Sequence, residues 1–230
     1  MIDRIVVGAP HSFRPATRRQ ESFLAPLERR ALLWMAQRMP PAVGPDHLTA
    51  LGLGALVAAG FCYAQAARSP WMLFLASGLV VVNWFGDSLD GTLARVRDRQ
   101  RPRYGFYVDH VIDAIGATAI LAGIAVSGLA TPIVAAALLV AFLLFSIETY
   151  LATYCVGTFR LSHAGFSPTE MRLLLIVGNV AAFWRPNVTI AGRSMPFFDV
   201  GFVIATVVMV GVFAWSTIRN ARYLAQLERL

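Results

Sequence analysis

The chain has 230 residues, of which 57% are hydrophobic and only 14% charged, with a mean hydropathy of +0.60. A soluble domain carries about a quarter charged residues, so the composition excludes an ordinary soluble protein and points to an all-α integral membrane protein. The net charge is +7 and every basic residue is arginine; these arginines sit between apolar segments, which argues against a nucleic-acid partner.

Residues 1–20 are polar and arginine-bearing and read as a surface arm. The first 30 residues hold no continuous apolar core, so no signal peptide is expected. Residues 21–39, ESFLAPLERRALLWMAQRM, have helical periodicity. Phe23, Leu24, Leu27, Ala31, Trp34 and Met35 share one side, with Glu28, Arg30 and Arg38 elsewhere. This pattern predicts an amphipathic helix that lies in the membrane interface or packs on the protein's own surface. PPAVGPDHLTALG then breaks that helix. A spanning helix needs about 20 apolar residues, and six such segments follow. They are Leu48–Ala66, Trp71–Arg95, Phe106–Leu129, Pro132–Cys155, the shorter Met171–Trp184, and Val200–Ile218. The expected organisation is a cytosolic arm and interfacial helix over residues 1–47, followed by a six-helix transmembrane domain over residues 48–230. Cys62 and Cys155 fall in apolar runs and read as small buried hydrophobes; no disulfide or zinc spacing exists.

Arginine placement sets the orientation. The N-terminus, the 95–105 loop, the 156–172 loop and the C-terminus hold 17 of the 20 arginines; the opposite loops hold Arg68, Arg185 and Arg193. Positive residues stay cytoplasmic, so both termini and the 95–105 loop are expected in the cytosol, as for a bacterial inner-membrane protein.

The second predicted span ends in Asp87-x-x-Asp90-Gly91-x-x-Ala94-Arg95, and the third begins with Gly105-x-x-x-Asp109-x-x-x-Asp113. Spacings of three and four place each pair on one helix face. A tight turn would bring the four carboxylates together, with Gly91, Ala94, Gly105 and Gly116 allowing close approach. Adjacent carboxylates repel, and Arg95 alone does not balance them. Hard divalent cations such as Mg²⁺ or Mn²⁺ prefer carboxylate oxygen, and two such ions suit phosphoryl displacement. Acids within membrane helices mark functional sites by default. The bland alternative is a set of helix-end acids paired with nearby arginines.

Those residues carry a resemblance. The two runs, separated by a short gap, resemble the signature of the CDP-alcohol phosphotransferase family, six-span enzymes of phospholipid synthesis. The gap between Arg95 and Gly105 is nine residues, one longer than the resemblance leads one to expect. The resemblance implies that Asp87, Asp90, Asp109 and Asp113 hold two divalent cations. It implies that Gly91 and Ala94 make room for a cytidine nucleotide and that Arg95 meets its diphosphate, with Asn83 a further candidate for nucleotide contact. Asp113 would deprotonate the acceptor hydroxyl, with His110 the alternative base. The partners implied are a CDP-alcohol and an acceptor alcohol, one of them a lipid, together with membrane lipids and a second copy of the chain in a homodimer. The active site would face the cytoplasm.

DHVID (residues 109–113) and the Tyr154–Arg172 segment resemble the choline and ethanolamine phosphotransferase branch. They favour CDP-choline or CDP-ethanolamine with diacylglycerol. The alternative is CDP-diacylglycerol with a small polar acceptor. Position 106 is Phe, where that branch tends to have an acid to orient the histidine. Glu148, inside the fourth span, needs a partner, either an arginine or a polar-substrate pocket. Thr169 and Glu170 read as a helix start. Arg97, Arg99, Arg101 and Arg103 read as topology determinants that meet anionic lipid, or as ligands for a phosphorylated acceptor. The rivals from other classes are a transporter or ion carrier and a membrane scaffold; neither gives Gly91, Ala94 and Arg95 a role.

Overall fold

A computed structural model describes residues 17–19, 25–156, 158–160, 168–190 and 192–228. In chain order the elements are β1 (Thr17–Arg19), α1 (Ala25–Arg38), α2 (Pro45–Gln65), α3 (Met72–Val96), α4 (Pro102–Ser127), α5 (Pro132–Val156), β2 (Thr158–Arg160), α6 (Pro168–Trp184), β3 (Asn187–Ile190), β4 (Arg193–Pro196) and α7 (Phe197–Leu227). Five helices, α2 to α5 and α7, are long and apolar enough to cross a membrane. The fifth expected span, α6, has 17 residues, or about 26 Å of helix, short of the roughly 30 Å hydrocarbon core.

Two strand pairs were not foreseen. β1 pairs in parallel with β2, so part of the arm is tied to the segment after α5. β3 and β4 form an antiparallel hairpin between α6 and α7. Helix ends also move: α4 starts four residues early, where Pro102 suits a first turn, and α7 extends at both ends of its expected span.

Lipid-spanning helices have no hydrophobic force to press them together, so small residues and polar links set their contacts. Many apolar residues accordingly face outward, including Phe61, Val126, Ile133 and Val207. Helix α2 is the central post. A Cβ added at Gly86 of α3 would lie 2.5 Å from the Leu48 carbonyl oxygen, and one at Gly123 of α4 would lie 2.1 Å from the Gly60 carbonyl oxygen. α3 and α4 therefore touch α2 backbone to backbone. Buried Asn179 brings in α6: its amide meets the Tyr63 hydroxyl at 2.8–3.0 Å and donates to Ser77 Oγ at 2.9 Å. At the end of the bundle away from the α3–α4 turn, Asp199 accepts from the Thr131 N–H and hydroxyl, both at 2.6 Å, and so ties the start of α5 to α7. Cys155 is exposed and Cys62 only half-buried, correcting the expectation of two buried thiols; Cys155 lies near the end of α5, on its outer side.

Of the α1 stripe, Leu27 and Trp34 point away from the bundle, and a different side of the helix packs inward. Leu32 and Ala36 are buried against Leu48, Leu89 and Leu93, with Met35 and Met39 beside them. Leu27 is 70% and Trp34 58% exposed, while Glu28 lies on the protein side. An apolar stripe on a surface helix of a membrane protein points to lipid as readily as to protein, so periodicity alone does not tell the two apart.

The α3–α4 turn is built to be tight. Asp98 adopts φ 53°, the Arg99 N–H donates to the Ala94 carbonyl at 2.9 Å and the Asp98 N–H to that of Arg95 at 3.3 Å. This is a Schellman stop with aspartate at the left-handed position that usually takes glycine. Asp98→Gly is expected to hold or raise thermal stability, and Asp98→Val to lower it by about 1–2 kcal/mol; melting of the detergent-solubilised variants measures both.

Candidate active site

The turn sets the end of α3 beside the start of α4, and the acids meet there. Among the described residues, Asp87, Asp109 and Asp113 each bring a carboxylate oxygen to within 4.8 Å of the others. Cation–oxygen distances run from about 2.0 to 2.6 Å, so one ion can touch three oxygens spaced this way. The all-carboxylate donor set suits a hard divalent cation. Asp87 and Asp113 are half-buried and Asp109 is exposed, which leaves the group open on one side.

Asp90, the fourth predicted ligand, is placed beside this trio. One carboxylate oxygen accepts from Thr49 Oγ1 of α2 at 2.6 Å, and the other accepts from the Gly91 N–H. Arg95 Nη2 donates to Thr92 Oγ1 at 2.9 Å on the same helix. A Cβ at Gly91 would meet only the Arg95 guanidinium at 3.5 Å, and one at Gly105 would meet nothing within 4 Å. Helix packing therefore needs neither glycine, in contrast to Gly86 and Gly123. Gly54, Gly78, Gly201 and Gly211 are similarly open; Gly91 and Gly105 differ from them in lying one turn from the acids. Ala94 is half-buried on the face shared with Gly91.

His110 faces α5. Its Nδ1 lies 2.6 Å from the Phe106 carbonyl oxygen and 3.8 Å from Asp109 Oδ2. The ring packs between Phe106 and Tyr150, with centroids 4.2 and 4.4 Å away. Asn83 is buried, with both ends of its amide engaged: Nδ2 donates to the Gly52 carbonyl at 3.2 Å, and Oδ1 accepts from Arg172 Nε at 3.0 Å.

Arg172 is the site residue that the sequence did not single out. From α6 its Nη2 donates to Asp87 Oδ2 at 2.5 Å, which brings a guanidinium directly onto the acidic group. Its position next to Met171 at a helix start gave only a topological signal. Glu28 was likewise missed. Its Oε1 accepts from Trp84 Nε1 at 2.8 Å, Ser88 Oγ at 3.3 Å and Thr169 Oγ1 at 2.8 Å, joining α1 to α3 and α6.

Other candidates resolve as fold contacts. Glu148 accepts from Ser216 Oγ and Asn220 Nδ2 of α7, each at 2.8 Å, so a hydroxyl and an amide stand where an arginine was one of the two partners expected. Arg97 donates to the Val43, Met39 and Pro40 carbonyls at 2.5, 2.9 and 2.9 Å, gripping the α1–α2 connection. Arg101 pairs with Asp46 and stacks 4.1 Å from the Tyr104 ring centre.

A family model for CDP-alcohol phosphatidyltransferase matches residues 42–222. Among solved structures the chain is similar to Mycobacterium tuberculosis phosphatidylinositol phosphate synthase (PgsA1) with CDP-DAG bound. That likeness has a TM-score of 0.59 and 22% identity, covering 86% of this chain and 93% of the other. The apo form of the same synthase gives a TM-score of 0.57 at 21% identity, covering 85% and 94%. Comparison with curated protein sequences gives no match. None of these findings supports a choline or ethanolamine donor, and residues 157 and 161–167 of the segment that suggested one lie outside the described residues.

Proposed function

The chain belongs to the CDP-alcohol phosphatidyltransferase family, and from that premise we propose that it makes a phospholipid by moving a phosphatidyl group from CDP-diacylglycerol to a small polar alcohol, with release of CMP. The observation that carries this reading is the convergence of Asp87, Asp109 and Asp113, drawn from the two halves of one motif, on a single cation-sized space. The choice of donor rests on the fold shared with a synthase whose structure has CDP-DAG bound. This reading replaces the leaning to CDP-choline and CDP-ethanolamine. The arginine distribution supports an active site on the cytoplasmic side of a bacterial inner membrane.

Asp87, Asp109 and Asp113 would hold Mg²⁺ or Mn²⁺, with Asp90 next to them as the fourth acid. When bound, the cations supply positive charge to the diphosphate and its leaving oxygen. Arg95, at the exposed end of α3, pairs with the diphosphate, and Gly91 and Ala94 leave space for the nucleotide. Asp113 takes the proton from the acceptor hydroxyl. The acceptor oxygen then bonds to the phosphorus that carries diacylglycerol, the anhydride bond to the cytidylyl phosphate breaks, and CMP departs. His110 is the weaker base, because its Nδ1 faces a backbone carbonyl of its own helix. Asn83 serves by holding Arg172 and the Gly52 carbonyl in place.

A donor competition tests the assignment. The reconstituted full chain, with Mn²⁺, is offered radiolabelled CDP-diacylglycerol or CDP-choline, each with a panel of acceptors. The expected result is labelled lipid and CMP from CDP-diacylglycerol with a small polar alcohol. Turnover of CDP-choline with diacylglycerol in its place would overturn the donor assignment and leave the family standing.

A further inference from the structure

Helix α1 is joined to the motif-bearing end of α3 at two points. At its C-terminal end, Arg97, just past the end of α3, binds the Met39, Pro40 and Val43 carbonyls. At its N-terminal end, Glu28 receives Trp84 and Ser88 of α3, and the same oxygen receives Thr169 of α6. These two attachments bracket the motif residues Asp87 to Arg95. Ser88 directly follows Asp87, and Thr169 lies about one helical turn before Arg172, which binds Asp87. Glu28 therefore closes a ring: Glu28 to Ser88 and Asp87, Asp87 to Arg172, Arg172 along α6 to Thr169, and Thr169 back to Glu28.

A carboxylate oxygen with three donors is a demanding arrangement. It fixes the side chain and adds a link through α1 to the direct α3–α6 bonds of Arg172 and Asn179. Breaking it leaves the Trp84 and Thr169 donors to find other partners in a half-buried setting, at a cost comparable to a lost hydrogen bond or more. Leu32 and Ala36 still pack on Leu89 and Leu93 without it, so the α1–α3 contact survives while the register of Asp87 against Arg172 loosens.

We propose that Glu28 is a positioning residue: from α1 it sets Asp87 and Arg172 in the geometry that the acidic group needs. This rests on the reading of Asp87, Asp109 and Asp113 as a cation site for CMP release. Glu28 touches none of the reacting groups, and it acts through Ser88 and Thr169. Partners of metal-ligating residues typically change affinity or activity by about 10–100-fold when removed.

The test compares Glu28→Ala, Glu28→Gln, Thr169→Val and the Glu28→Ala/Thr169→Val double variant in the full chain. Three readouts are used: thermal melting, Mn²⁺ binding without nucleotide, and kcat and KM for CMP release. Glu28→Gln keeps an accepting oxygen. For Glu28→Ala the expected results are a loss of Mn²⁺ affinity and of kcat, each by up to about tenfold, since Glu28 lies one step beyond a direct partner of a ligand, with KM for the CDP-alcohol little changed. Glu28→Gln should restore most of both. Thr169→Val should show a smaller loss in the same direction, and the double variant should lose no more than Glu28→Ala. Unchanged Mn²⁺ affinity and kcat in Glu28→Ala would overturn the proposal. So would losses that add fully in the double variant, or losses that only follow the fraction of folded protein. A wild-type chain that binds Mn²⁺ but releases no CMP would instead sink the reaction, and Mn²⁺ binding would still decide the role of Glu28.

Discussion

Asp109→Asn is expected to lower metal-dependent CMP release about a thousandfold, equivalent to about 4 kcal/mol of barrier. The substitution keeps the size and outline of the side chain and removes its charge. Asp109 is the exposed member of a group whose oxygens lie within 4.8 Å of one another. Losing one anionic donor of three weakens the hold on a hard cation at the point where charge develops. Asp113→Asn should lose at least as much, because the proposed base disappears with the ligand. Asp46→Asn is the control. Asp46 pairs with exposed Arg101 outside the group, and a surface pair contributes about 0–1 kcal/mol, so activity should stay within about fivefold. Initial rates of CMP release across a Mn²⁺ titration, together with melting curves, check all three variants. Full activity in Asp109→Asn would refute the assignment of that carboxylate.

Gly123→Ala is expected to destabilise the bundle, although alanine is the better helix former by about 1 kcal/mol. The new Cβ would sit 2.1 Å from the Gly60 carbonyl oxygen and 3.0 Å from Tyr63 Cβ. Both contacts are far inside van der Waals distance, and the nearer one is backbone, which cannot rotate aside. α2 and α4 must separate, at a cost of about 1–3 kcal/mol or more. Because α4 carries Asp109 and Asp113, the separation should also reduce activity. Gly54→Ala provides the contrast on the facing helix: its Cβ would meet nothing within 4 Å, so it should be neutral or stabilising. Melting temperatures of the two variants in one detergent settle the comparison. A Gly123→Ala protein as stable as Gly54→Ala would contradict the close crossing.

What the sequence revealed was mostly local. Asp87, Asp109 and Asp113 are legible because i+3 and i+4 spacing fixes a helix face, and a gap of nine residues leaves room for little but a tight turn. What it hid lies between segments far apart in the chain. Arg172 is 85 residues from Asp87, and Glu28 is 141 from Thr169; no periodicity within either segment announces such pairs. The choice between the two placements of α1 was closed to the sequence for a different reason. In a membrane protein, apolar side chains cover lipid-facing surfaces, so the stripe of Leu27 and Trp34 marks the outside while a carboxylate points in. Glu148 needs a partner inside its span, and nothing local shows that a hydroxyl and an amide of α7 supply it. Asp90 belongs to the motif, yet its carboxylate turns to Thr49 of α2, a residue on another helix with no motif of its own. The β3–β4 hairpin follows from the Pro186 and Gly192 breaks, which a search for spans passes over.

The proposed reaction requires the acids of α3 and α4 to hold a cation, which would offset the charge that develops on the departing CMP. The direct measurement is CMP release by the reconstituted full chain given CDP-diacylglycerol and a polar acceptor, with Mg²⁺ or Mn²⁺ present, then chelated, then restored. Release that stops on chelation and returns with the cation is the predicted result. Release that proceeds unchanged under chelation, or no release from any CDP-alcohol, would contradict it.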